Sequence, residues 1–144
     1  MHVRNSIRDN LVTTLTGLST TGSNVSSTRV YPFGAEKLPR ISIYTKSEDI
    51  EYGTLSRPRT LVRTLTAAIE VFVQSNVDDD LDTISSEIET ALYADVTRGG
   101  YAKDTRVVSF EADFSGDPDK PVGTAVINVQ IDYVTIEGSP EAAQ

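Results

Sequence analysis

The chain contains no cysteine, which excludes disulfides, thiolate metal sites and a cysteine nucleophile. It has one histidine, His2, at a terminus expected to fray, so a Ser-His-Asp arrangement has no well-placed base. Neither a glycine–lysine phosphate loop nor a dinucleotide fingerprint occurs. No apolar run approaches the roughly twenty residues of a membrane span. The first residues also lack the apolar segment of a signal peptide, and the expectation is no membrane association. Positive charge is scarce as well. Thirteen Lys and Arg against 21 Asp and Glu leave a net charge of −8, whereas phosphate binding needs a net cationic surface. The acidity reads either as a surface that repels DNA or matches a basic partner, or as simple solubility. With 144 residues, 38% of them hydrophobic, the expectation is one domain with a modest core and a large surface. These absences point away from an enzyme and away from a cofactor.

The most informative stretch present is Thr60 to Gln74. Leu61, Leu65, Ala67, Ile69, Val71 and Val73 share one parity, and Thr60, Thr64, Thr66, Glu70 and Gln74 the other. This period of two, in β-branched residues, predicts a strand with one buried face. Arg63 breaks the pattern on the apolar side, and Val62 and Phe72 break it on the polar side. Fully extended, the stretch spans roughly 50 Å, so its Val73 end is expected in the core and its Thr60 end in a projecting arm.

Val3, Ile7, Leu11 and Leu15, four apart within Met1 to Leu18, predict an amphipathic helix stopped near Gly17. Ser19 to Ser27 reads as a loop, Thr28 to Phe33 as a short strand and Arg40 to Lys46 as the next strand. Tyr31, Phe33 and Tyr44 suggest a small aromatic cluster. Ser47 to Pro58 is expected to form the long tip of a hairpin that ends in the Thr60 strand. Val77, Leu81, Ile84, Ile88, Ala91 and Leu92 predict a second helix to about Asp95, with Asn76 as N-cap and Arg98-Gly99-Gly100 as its stop. Thr105 to Phe114, with Val108, Phe110, Ala112 and Phe114 on one face, and Val122 to Ile136 are the last strands, joined by a turn at Ser115 to Pro121. Residues 1–137 form the expected single domain, and 138–144 a flexible C-terminal tail. The order α-β-β-β-α-β-β, without repeated βαβ spacing, predicts an α+β fold: a mainly antiparallel sheet, two helices on one face and a long β-hairpin arm.

Three places bear on function. Asp78, Asp79 and Asp80 lie where a helix macrodipole favours carboxylates, and adjacent helical positions point too far apart to converge on one metal ion. Asp113, Asp117 and Asp119 surround a Gly-Pro turn that reads as a solvated hairpin tip or as a small ion-binding module, although their spacing does not match the calcium-binding loop. The hairpin end changes from acidic (Glu48, Asp49, Glu51) to basic (Arg57, Arg59, Arg63) across Tyr52 and Gly53. These two blocks either pair between subunits, for instance Glu48 with Arg59 of a neighbour, or pair within one hairpin. Glu48, Asp49, Glu51, Tyr52, Arg57, Arg59 and Arg63 are therefore the candidate interface residues.

Across nearly its whole length the chain resembles the tail terminator family of long-tailed bacteriophages, the lambda minor tail protein U type. The likeness lies in the order of elements. An N-terminal helix precedes Arg29-Val30-Tyr31-Pro32-Phe33, and Leu38-Pro39-Arg40-Ile41-Ser42-Ile43-Tyr44 follows, then the acidic Glu48-Asp49 region. Ala68-Ile69-Glu70-Val71-Phe72-Val73 comes ahead of Leu81-Asp82 and the second helix. The resemblance implies a structural virion protein, assembled in the host cytoplasm, that sits as a hexameric ring on the head-proximal end of the tail tube. Such a ring ends polymerisation of the tube protein and presents a surface to the head connector, and DNA passes its lumen without specific binding. The loop at Ser47 to Pro58, and more weakly Ser19 to Ser27, is then a subunit or tube contact. Another head–tail connector or a tube component is the alternative within virion proteins.

Overall fold

The structure is a computed structural model that describes residues 1–27, 39–74, 77–117 and 120–144. Its elements are α1 (Val3–Leu15), β1 (Val25–Ser26), β2 (Arg40–Tyr52), β3 (Thr60–Gln74), α2 (Val77–Ala94), β4 (Asp104–Asp117), β5 (Lys120–Ile136) and β6 (Ser139–Ala143). The sheet runs β1-β2-β3-β5-β4, and β6 pairs with the end of β5. Every pairing is antiparallel except β1 with β2. This is the expected α+β architecture, with both helices contributing to one core on one face of the sheet.

The core follows directly from the two periodicities. Ile7, Leu11 and Leu15 of α1 and Ile84 and Ile88 of α2 are fully buried. They meet the odd-numbered residues of β3 and β5, from Leu65 to Val73 and from Ala125 to Tyr133. β3 is the central strand, paired along its full length with β5 from Thr60↔Ile136 to Gln74↔Val122. The opposite face is polar and tied by cross-strand bonds. Tyr44 Oη donates to Glu70 (2.8 Å), Thr64 to Asp132 (3.2 Å) and the Asn128 amide to Ser109 (2.8 Å).

Both helices stop for local reasons. The backbone N–H of Thr16 closes onto Val12 and Thr13 carbonyls, and Gly17 then adopts φ +94°, a left-handed conformation suited to glycine. α2 begins with Asp78, Asp79 and Asp80 in its first turn and has no basic residue in its last. Its C-terminal carbonyls are met instead by Arg98, a fully buried guanidinium that donates to the Leu92 carbonyl (2.9 Å), to that of Asp95 and to Thr14 of α1. The turn at 98–100 is the predicted stop, with positive φ at all three residues.

Several expectations need correction. The hairpin tip is shorter than Ser47 to Pro58, because β2 continues to Tyr52, paired with Leu61, and the tip contracts to 53–59. The Thr60 end of β3 belongs to the expected long hairpin, with β2 on one side and β5 on the other. The segment 138–144, expected as a flexible tail, carries β6. The loop at Ser19 to Ser27 contains β1, which pairs in parallel with Ile41 and Ser42. His2 accepts the Arg4 N–H through Nδ1 and caps α1, where a frayed end was expected. The predicted strand at Thr28 to Phe33, its Tyr31–Phe33 part of the aromatic cluster, the Asn76 cap and Asp119 of the turn lie outside the described residues.

Gly123 of β5 carries a packing requirement. A Cβ there would lie 2.0 Å from Cγ1 of Val77, so the first turn of α2 sits directly on the bare backbone. Gly123→Ala is expected to lose about 1–3 kcal/mol in urea unfolding through overpacking, and Val77→Ala in the same chain to recover most of it.

Candidate functional site

One extra residue in β2 organises the hairpin. Up to Thr45, odd residues of β2 oppose odd residues of β3: Ile41 faces Val71 and Ile43 faces Ile69. The register shifts between Thr45 and Ser47, and from there Glu48 opposes Leu65 and Ile50 opposes Arg63. A bulge at Lys46 therefore reverses which side chains face the helices. Glu48 turns inward, its side chain 4% exposed, and meets Arg63, at 9%, at 3.0 Å. Arg4 of α1 donates to the same carboxylate oxygen at 2.9 Å. The Tyr133 hydroxyl of β5 donates to the other oxygen. Arg63 also donates through Nε to the buried hydroxyl of Thr135 at 2.9 Å.

This explains why Arg63 stands among apolar residues in β3. It is the cation of a buried network that joins α1, β2, β3 and β5. Burial and the hydrogen bond to Glu48 push the Tyr133 phenol up, so it keeps its proton and remains a donor. Both Glu48 oxygens are occupied, and the arrangement ties α1, β3 and β5 to β2. His2 beside it is pushed down from its ordinary value, first by burial and then by Arg4 and Arg63.

The seven sequence-selected residues thus divide. Glu48 and Arg63 lie inside the fold and pair with each other, which for these two is the within-chain alternative given above. Arg59 binds Glu137 at 2.7 Å and stacks over the Tyr52 ring, 4.4 Å from its centroid. Arg57 lies 3.9 Å from Glu137 with its side chain 79% exposed. Asp49 and Glu51 are exposed and make no ion pair among the described residues. The surface set is accordingly Asp49, Glu51, Tyr52, Arg57 and, partly, Arg59.

Sequence reasoning overlooked the apolar part of this end. Ile50, Tyr52 and Val62 are exposed, and Leu55 at the tip is 99% exposed. The shift from odd Ile41 and Ile43 to even Ile50 and Tyr52 was the available signal for the bulge. A second uncovered patch lies on β4. Val107, Val108, Phe110 and Phe114 are 38–58% exposed, although alternation had placed Val108, Phe110 and Phe114 on a buried face. The register explains the error: Phe110 opposes Ile127 and Phe114 opposes Gly123, so both point to the helix side, but beyond the cover of α2.

Other candidates carry less. A cleft of about 360 Å³ between the 17–19 turn and α2 is bordered by Glu87, whose two oxygens accept from the Thr20 N–H and hydroxyl. Among the described residues no three carboxylate or imidazole groups converge to hold a metal, Asp78, Asp79 and Asp80 included.

No protein-family model matches this sequence, and no curated protein matches it. Among solved structures, it is similar to a chain of the virion of a native gene transfer agent particle. The two are 15% identical, with 91% of this chain and 92% of that one covered and a TM-score of 0.47.

Two measurements test the network. Glu48→Gln is expected to cost about 3–5 kcal/mol in urea unfolding, because Arg63 is left buried without its anion. The Glu48→Met/Arg63→Met double variant is expected to be more stable than either single one. A second expectation concerns pH. The folded pKa of His2 is depressed below 6.5, so its contribution is full above 6.5 and fades as pH falls through that value toward the folded pKa. The drop in melting temperature from pH 8 to pH 5, taken as about the range of histidine titration, is expected to shrink in His2→Asn, whose side chain caps without titrating.

Proposed function

We propose that this chain is a structural component of a phage-type virion that caps the head-proximal end of the tail tube as a ring, ends tube growth and offers the surface for head joining. It acts by shape and surface, without turnover of a substrate. The carrying observation is the pair of uncovered apolar patches, one at the hairpin end and one on the β4 edge. Large apolar side chains exposed close together favour a surface that another protein covers. The resemblance in element order to tail terminators supports the particular role, and a hexamer is the assembly it implies. A net charge of −8 suits a lumen through which DNA moves without being bound. The partners are then other copies of the chain, the tube protein and the head connector.

A tube subunit is the second reading, because two unlike patches can also stack copies without limit. Tail tubes assembled with and without the protein, measured by negative-stain microscopy, separate the cases. Tubes of defined length that join heads only when the protein is present are the expected result. Tubes of normal length that join heads without it would sink the proposal, and unlimited filaments of the purified protein would select the second reading.

A further inference from the structure

Eight of the exposed large hydrophobic residues fall in two groups. Ile50, Tyr52, Leu55 and Val62 mark the hairpin end, and Val107, Val108, Phe110 and Phe114 mark β4. The tip 53–59 carries Arg57 and Arg59. Arg59 is paired with Glu137 at 2.7 Å, and Arg57, 3.9 Å from the same carboxylate, has its side chain 79% exposed. The stretch 107–114, after Arg106, carries Glu111 and Asp113. The two groups also lie far apart in one copy. In the order β1-β2-β3-β5-β4, two strands separate β2 from β4. The tip leaves β3 at Thr60, and Phe114 lies level with the other end of β3, through Gly123 and Val73. That is roughly 40 Å along the strands at about 3.3 Å per residue.

β4 is moreover an edge. It pairs with β5 and with no other described strand, so one side of its backbone has no ladder partner among the described residues. Of the devices that protect natural edges, β4 has charged side chains and a bulge between Val107 and Ser109, but no lysine or proline from 104 to 117. The tip has the complementary character: an apolar side chain wholly in solvent, next to an exposed guanidinium.

Resting on the virion reading above, we infer that the hairpin tip of one copy seats on the β4 edge of the next. Leu55 packs against Phe110 and Phe114 on the helix side of β4, and Arg57 reaches across the strand edge to Glu111 and Asp113, which alternate onto the other face. One Asp113 oxygen already accepts the Phe114 N–H, which holds the carboxylate beside the strand. Because patch and socket are different surfaces, each bound copy still presents one of each. The contact is heterologous and runs head to tail, closing into a ring when the rotation permits.

The absence of cysteine makes cross-linking a clean test. Leu55→Cys protein is mixed with Phe114→Cys protein under mild oxidation, and the wild type is sized in parallel by light scattering. Heterodimer in excess over both homodimers is expected, with yield falling about tenfold when the Leu55→Cys chain also carries Arg57→Glu. Glu111→Lys in the Phe114→Cys chain is expected to restore it. An oligomer by scattering without excess heterodimer would overturn this contact and leave the ring reading standing. Excess heterodimer together with open filaments of the wild type would uphold the contact and overturn the ring. A wild-type monomer with no heterodimer would overturn the contact.

Discussion

The carboxylate of Glu48 binds the far end of the molecule together. It accepts from Arg4 on α1, Arg63 on β3 and Tyr133 on β5, so four elements meet at one side chain. Ions withdrawn from water cost several kcal/mol each, and here hydrogen bonds to every participating group offset that cost. The network also selects a register. Only the bulged pairing puts Glu48 on the helix side opposite Leu65, next to Arg63; one residue of slip would put in its place Ser47, which has no charge, or Asp49, whose carboxylate is one methylene shorter. Beyond this network, at the tip, Leu55 is 99% exposed and the Arg57 side chain 79% exposed.

A second constraint is width. Helices pack about 8–10 Å apart and strands about 4.8 Å, so two helices side by side cover roughly four strands. The sheet is five strands across before β6 is counted. α1 packs on the β2 side and α2 mainly on β3 and β5, so Phe110 and Phe114 of β4 face the helix side but remain 43% and 58% exposed. The exposure of Phe110 and Phe114 thus follows from the element count.

The helices and the long strands were legible because their periodicities are set by local geometry. Val3, Ile7, Leu11 and Leu15, and the odd residues of β3, fall on the faces their spacing predicts. The limits of the hairpin were not legible. The residues 47–52 look like a loop because they are acidic and polar, yet their backbone is fully engaged in the ladder with 61–66. Composition reports on side-chain exposure, and at an exposed hairpin it says little about backbone pairing. The same confusion produced the tail expected at 138–144, where small polar residues form β6.

Of the candidate site, the sequence by itself determined the charge inventory and its location near the β2–β3 turn. It also determined the antiparallel order that brings the two blocks face to face. Tertiary structure alone decided which charges remain on the surface. Glu48 is consumed inside because a single bulge rotates β2 by half a period, onto the side where the parity of β3 already holds Arg63. Arg57 remains outside because it lies in the tip, beyond the last strand pair. Whether an apolar residue is buried depends on what lies above it, and that is a property of the assembled layers rather than of the alternation in one strand.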